Sequence, residues 1–173
     1  MTLIDSGFVS PRIVISDERH DILDTGGGIA RALRLLGGDP FFVLNSDSFW
    51  IDRGTPALQR LRTRWNGADM DCLLLLCPLP QTVGYDGHGD FVLDQQGRVQ
   101  RKRDAAGEPL AYIGGYLVSP TLFAAAPQGK FSMNVLWDRA IAQGRLYGIA
   151  HQGRWLHVGT PDAIALADAA LAV

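Results

Sequence analysis

Two short stretches carry the residues best suited to chemistry: Asp24-Thr25-Gly26-Gly27-Gly28-Ile29 and Phe41-Phe42-Val43-Leu44-Asn45-Ser46-Asp47. In the first, successive glycines open a helix. Backbone without side chains lets a flat or anionic ligand come close, and a helix N-terminus favours negative charge. In the second, a buried strand delivers one carboxylate, Asp47, at its C-terminal end, where open α/β sheets bind their ligands. Together they point to a nucleotide or sugar-phosphate site completed by a divalent cation. Taken alone, Asp47 would serve equally well as the cap of a turn, and the glycines as a tight strand-to-helix connection. His20, His88 and His151 have no partners at metal or triad spacing. The chain has neither a Gly-x-Ser-x-Gly elbow nor a His-Glu-x-x-His pair, which argues against hydrolases. The glycines also lack the Gly-x-Gly-x-x-Gly spacing of a dinucleotide-binding dehydrogenase.

The elements that must position these residues follow from hydrophobic periodicity. Residues 12–16, Arg-Ile-Val-Ile-Ser, predict a short buried strand, and residues 29–36 continue the glycines as a helix stopped by Gly37-Gly38-Asp39-Pro40. Residues 41–44 are continuously apolar, as in a central parallel strand covered on both faces. Thr55-Pro56 opens a second helix through Leu58, Leu61 and Trp65, and residues 71–77 form another buried strand. This β-α-β-α-β order predicts an α/β fold with a mostly parallel, Rossmann-like, doubly wound sheet. Residues 84–115 change character and predict a small antiparallel insertion, with a strand at 91–94, a turn at Gln95-Gln96-Gly97 and a return at 98–101. A strand over 111–118 carries Gly114-Gly115, Ser132 caps a helix, strands follow at 146–150 and 155–158, and Pro161 opens the last helix.

The 173 residues suit one domain, 1–173, with a substantial core: 47% are apolar and 20% charged. A net charge of −2 provides no electrostatic footprint for nucleic acid. No apolar run approaches the ~20 residues of a membrane span, and Met1-Thr2-Leu3-Ile4-Asp5-Ser6 lacks signal-peptide blocks. Cys72 and Cys77, five apart on a strand, face opposite sides and read as buried reduced thiols, which points to the cytoplasm. Trp50 and Trp155 read as core. Asn134 and Asp138, one helical turn apart, either face a ligand or form a solvated face, and the charged residues 98–104 read as a solvated hairpin.

Five segments, in order, resemble the sugar-1-phosphate nucleotidyltransferases, in particular the N-acetylmuramate α-1-phosphate uridylyltransferase type. They are Asp24-Thr25-Gly26-Gly27-Gly28, Asn45-Ser46-Asp47, Gly89-Asp90-Phe91, Tyr112-Ile113-Gly114-Gly115-Tyr116 and Trp155-Leu156-His157-Val158-Gly159-Thr160. The resemblance implies transfer of a nucleoside monophosphate, UMP from UTP, to a sugar 1-phosphate, N-acetylmuramate 1-phosphate, in cell-wall sugar recycling. Mannose-1-phosphate guanylyl transfer is the alternative within the class, and a catalytically silent sugar-nucleotide-binding module the alternative outside it. The resemblance places Thr25, Gly26, Gly27 and Gly28 at the base and ribose, and Asn45, Gly89, Asp90, Gly114 and Gly115 on the sugar-phosphate side. It makes Asp47 the catalytic ligand of Mg²⁺.

Two departures from the family stand out. The family's first strand and its glycine- and arginine-rich phosphate loop have no counterpart before Arg12, so the domain reads as N-terminally truncated. Loss of a strand would expose edges that favour pairing with another chain, hence a homo-oligomer. His157 stands where the family carries an aspartate that serves as the second metal ligand. Histidine suits Mn²⁺ better than Mg²⁺, which prefers oxygen.

Overall fold

The computed structural model describes residues 12–172; the reading of Met1–Ser6 as lacking a signal peptide falls outside them. The elements run α1 (Asp24–Leu36), β1 (Phe41–Leu44), β2 (Ser48–Ile51), α2 (Ala57–Arg64), β3 (Cys72–Pro78), β4 (Thr82–Val83), β5 (Phe91–Leu93), β6 (Val99–Arg101), β7 (Leu110–Val118), α3 (Met133–Ala142), β8 (Leu146–Ala150), β9 (Arg154–His157) and α4 (Pro161–Leu171). Six strands form the main sheet in the order β6-β5-β7-β3-β8, with β1 added against β7, and β2-β9-β4 make a second sheet.

β3 is the spine of the core. Its residues 72–77 are all fully buried, because both faces are covered and a strand in that position must be apolar at every residue. Cys72, Leu74 and Leu76 join Tyr116, Trp137 and Leu136 in one cluster; Leu73, Leu75 and Cys77 join Leu61, Ile113 and Trp155 in the other. The two thiols therefore face opposite sides of the strand, as their spacing requires. Both are free and buried, and burial pushes the Cys77 thiol up to about 12, so it stays protonated and inert.

The α/β class is correct, but the strand directions differ from the mostly parallel expectation. Among the described residues of the main sheet, only β3 and β8 pair parallel; β1·β7, β3·β7, β5·β6 and β5·β7 are antiparallel. β1 is not a central parallel strand: it runs antiparallel to β7, and Phe42 and Leu44 are exposed while Phe41 and Val43 pack inward. Residues 12–16 form no strand; Ile13, Val14 and Ile15 are exposed, since no described sheet edge lies alongside them to pair with. The antiparallel hairpin β5–β6 matches expectation, but β7 is no part of a peripheral insertion. It is the longest strand and a central one. Two short strands, β2 and β4, had no recognisable pattern: β2 alternates only through Phe49 and Ile51, which are themselves exposed.

Helix ends follow local chemistry. Ser132 and Thr160 cap α3 and α4 by accepting the backbone N–H of Asn134 and Ala163. At α2 the cap is Asp52, whose Oδ1 accepts from Ala57 N at 2.9 Å, in place of the expected Thr55. No described helix is long and apolar enough to cross a membrane.

His151 is a buried polar residue on the way from β8 to β9, only 2% exposed. Its Nε2 lies 3.2 Å from the Ile51 carbonyl, which accepts from it, and its Nδ1 has no partner within hydrogen-bond distance among the described residues. Burial lowers its pKa below the ordinary 6.5; Asp52, 4.0 Å away, opposes that shift and Arg60 adds to it. The folded chain thus resists protonation that the unfolded chain accepts. Stability is full above the unfolded value and falls as the pH drops through the folded one. Thermal melts from pH 7 to 5 should show the midpoint falling, with a shallower fall in His151→Gln. An equal slope in both proteins would contradict this burial effect.

Candidate functional site

One edge of β7 is divided between two strands. β3 runs along its other edge, whereas on this one β1 pairs with residues 115–118 and β5 meets only Leu110. The intervening polar groups of β7 are met singly. Asp90 Oδ2 accepts from Tyr112 N at 2.8 Å, Asn45 N donates to the Gly114 carbonyl at 2.8 Å, and Ser48 Oγ donates to the Ile113 carbonyl at 3.2 Å. The pairing of β7 with β3 shifts here as well, between Leu74 and Leu76. Gly114 takes φ +80°, and a Cβ there would sit 2.8 Å from both Asn45 Cβ and Ser48 Oγ. Glycine is needed for the conformation and for the close approach.

A cavity of about 470 Å³ opens at this gap. Its floor is aromatic: Tyr112 and Tyr116 pack edge-on to Trp137, with ring centroids 4.9 and 5.6 Å away, and Phe91 meets the same indole at 6.1 Å. Burial, with smaller contributions from Cys72 and Asp47, holds the Tyr112 hydroxyl above its ordinary value, so it enters as a neutral hydrogen-bonding group. The side walls come from the N-terminal ends of α1 and α3, which are tied together. The Phe131 carbonyl accepts from Gly26 N and Gly27 N at 2.9 and 3.0 Å, Phe131 N donates to the Leu23 carbonyl, and Met133 N donates to Thr25 Oγ1 at 3.0 Å.

The glycine triplet is explained by neighbours at each position. A methyl at Gly26 would overlap the Phe131 ring, and one at Gly27 would overlap the Gly129 carbonyl. At Gly28 it would lie 2.7 Å from Glu18 Oε1. Of the four predicted base-side residues, Thr25 and Gly28 line the cavity, whereas Gly26 and Gly27 are buried behind its wall with their N–H groups already used. On the other side, Asn45 and Asp90 line the cavity. Gly114 and Gly115 lie beneath Asn45 and the Trp50 ring, and Gly89 lines an adjoining hollow that shares Asp90 and Arg101 with the cavity.

Asp47 and His157 come together outside the cavity lining, where the two sheets meet. Val158 N donates to the Asp47 carbonyl at 2.9 Å, and Ser48 pairs with His157 in β2·β9. A Cβ at Gly159 would lie 3.0 Å from His157 Nε2 and 3.6 Å from Asp47 Oδ2, so both side chains converge over that glycine. Among the described residues no group of three or more His, Cys, Asp or Glu gathers as a metal site.

Two cavity residues had escaped the sequence reading. Arg101, only 16% exposed at its side chain, donates to Asp138 Oδ1 and Asn134 Oδ1, both at 2.8 Å, and stacks 4.7 Å over Phe91. It is a half-buried clamp rather than part of a solvated hairpin, and Asn134 lines the cavity beside it. Period-two alternation held the signal, because Val99 and Arg101 share one face of β6 and Val99 is buried. Glu18 had no such signal, since it reaches the cavity from irregular chain. The charged lining residues are thus Glu18 and Asp24 at the α1 end, and Asp90 and Arg101, which also share the adjoining hollow.

A sheet flanked by helices, with a cavity between a glycine-opened helix and the ends of the strands, is the architecture of the nucleotide-diphospho-sugar transferases. Solved structures agree at the level of fold. UDP-glucose pyrophosphorylase in its apo form superposes with a TM-score of 0.65 at 17% identity over 87% of this chain and 61% of that one. HddC from Yersinia pseudotuberculosis, solved with GMP-PN, gives 0.63 at 18% over 87% and 64%. No family profile matches the chain. Among curated proteins, N-acetylmuramate alpha-1-phosphate uridylyltransferase of Caulobacter vibrioides is 43% identical over 95% of this chain and 68% of its own length. The protein of the same name from Neisseria meningitidis serogroup B is 31% identical over 90% and 65%. The chain belongs to the N-acetylmuramate α-1-phosphate uridylyltransferase family of sugar-1-phosphate nucleotidyltransferases, and it spans about two thirds of the length of these relatives.

The tie between α1 and α3 gives a direct test. Thr25→Val would leave the Met133 N–H, on a residue 1% exposed, without an acceptor. The expected loss is about 1–3 kcal/mol in urea unfolding, whereas Thr25→Ser should retain most of the stability. Equal stability of Thr25→Val and the unchanged chain would remove this bond from the account.

Proposed function

We propose that the cavity holds a uridine nucleotide sugar and that the chain serves the transfer of UMP from UTP to N-acetylmuramate α-1-phosphate, with release of pyrophosphate. The observation that carries this reading is the convergence of family segments distant in sequence, through Thr25, Gly28, Asn45, Asp90 and Tyr112, on one cavity at the divided edge of β7. In the reaction, an oxygen of the sugar 1-phosphate attacks the α-phosphorus of UTP. The attacking phosphate is already ionised, so alignment and charge neutralisation matter more than a general base. The base and ribose lie at the α1 end and the sugar toward Asp90 and the aromatic floor. Arg101 holds Asn134 in place there, and Asn45 braces the gap in β7.

Asp47 is the residue that would hold a divalent cation, with His157 beside it. One carboxylate fits Mg²⁺, which keeps several waters and takes further oxygens from substrate phosphates; the imidazole fits Mn²⁺ better. When bound, the ion supplies neutralisation of phosphate charge. The reaction fits a cytoplasmic enzyme of peptidoglycan sugar recycling, formed as one nucleotidyltransferase unit. Among the described residues β1 pairs only with β7, and its other edge suits pairing with a second strand, in a homo-oligomer or with more of a longer chain.

Calorimetric titration with UDP-N-acetylmuramate, with and without Mg²⁺ or Mn²⁺, tests the reading. Binding of the nucleotide sugar supports it, and pyrophosphate release from UTP and the sugar phosphate would extend it to turnover. Absence of binding in every condition would overturn it. In Asp47→Asn the gain in affinity produced by the ion should vanish while metal-free binding is kept; an undiminished gain would reject Asp47 as the ligand.

A further inference from the structure

The hollow that adjoins the cavity, about 620 Å³ in volume, carries basic residues that the proposed reaction leaves unused. It shares Asp90 and Arg101 with the cavity and adds His88, Lys102 and Arg103. Two of these cations are already answered: Arg101 pairs with Asp138 at 2.8 Å, and Arg103 with Asp104 at 3.3 Å. Lys102 is half-buried, and among the described residues it has no ion-pair partner. Its backbone N–H donates to the Asp90 carbonyl at 3.0 Å, which fixes it beside the residue that both openings share. Asp90 Oδ2 accepts from Tyr112 N and the Tyr85 hydroxyl, while Oδ1 has no donor among the described residues. A ligand that leaves the cavity past Asp90 thus meets an acceptor for a hydroxyl and then an ammonium without a counter-charge. An ammonium drawn partly out of water favours an anion that completes its hydrogen bonds.

Resting on the nucleotide-sugar reading above, we propose that this hollow takes the anionic arm of the sugar, with Lys102 holding its carboxylate. N-acetylmuramate carries a lactyl ether on O3 that ends in a carboxylate, where N-acetylglucosamine has only a hydroxyl. Asp90 accepts from a hydroxyl of the ring. Arg101 flanks the passage, its Nη1 without a partner among the described residues, and Lys102 receives the charge beyond it. A neutral sugar leaves the Lys102 ammonium to water, whereas a sugar with a carboxylate gains a charge-assisted hydrogen bond there. Lys102 is thereby a specificity-determining residue for the sugar rather than a ligand of the diphosphate.

The test is calorimetric titration of the chain with UDP-N-acetylmuramate and UDP-N-acetylglucosamine at neutral pH in the presence of Mg²⁺. The muramate form should bind at least about tenfold more tightly, the equivalent of one hydrogen bond to a charged group. Added salt should narrow that difference, because the contact lies at an open hollow. Lys102→Met keeps the reach of the side chain and removes its charge; it should bring the two affinities close to equal, whereas Lys102→Arg should keep most of the preference. Thermal midpoints report that both variants fold. The proposal is overturned if the unchanged chain binds the two nucleotide sugars equally, or if Lys102→Met keeps the preference. It is overturned too if Lys102→Met weakens both by the same factor, since that loss would belong to the diphosphate they share. In each of these cases binding of UDP-N-acetylmuramate to the unchanged chain leaves the nucleotide-sugar reading standing. If neither nucleotide sugar binds, both fall.

Discussion

The site depends on a sheet edge that is deliberately incomplete. β7 pairs with β3 along its buried side, with one register shift between Leu74 and Leu76, but its other edge is shared by β1 and β5 with a gap between them. Backbone polar groups in such a gap must find other partners, because an unpaired N–H or C=O near the core is costly. Asp90, Asn45 and Ser48 supply them, and in doing so become fixed around an opening too polar and too irregular to close by packing. Asp90 is therefore both a cavity residue and a structural acceptor.

The second constraint is the junction of α1 and α3. Their N-termini are locked through Phe131, Thr25 and Met133, and each glycine of the triplet removes a clash with a different neighbour. A helix N-terminus ordinarily attracts anions. In this chain the first N–H groups are already engaged by a carbonyl, and Glu18 and Asp24 add negative charge nearby. The α1 end therefore lacks the free N–H groups that would attract phosphate. The junction of the two sheets, where Asp47 and His157 converge over Gly159, is the place the family resemblance assigns to it.

Much of this was legible in the residues. The fully apolar run 72–77 required a strand covered on both faces, the capping residues Ser132 and Thr160 marked two helices, and Gln95-Gln96-Gly97 marked the turn of the β5–β6 hairpin. The pairing of Asp47 with His157, far apart in the chain, came from the family resemblance, and the two side chains do lie close together over Gly159. The misreadings share one cause. Residues 12–16 and 41–44 have the composition of buried strands, but composition carries no information about which edge is available or in which direction it runs.

The sequence by itself determined the local chemistry: where helices start and which strand is the core spine. Those properties arise from periodicity and capping, which act over a few residues. Only the tertiary structure decided that Gly26 and Gly27 lie behind the cavity wall with their N–H groups bonded to Phe131, that Arg101 is a clamp, and that Glu18 enters the cavity. Each of these depends on a neighbour more than a few residues away: Phe131 and Gly129 for the first two glycines, Asn134 and Asp138 for the arginine, and the space left by Gly28 for Glu18. Contacts of that kind are fixed by the packing of whole elements, and no local pattern encodes them.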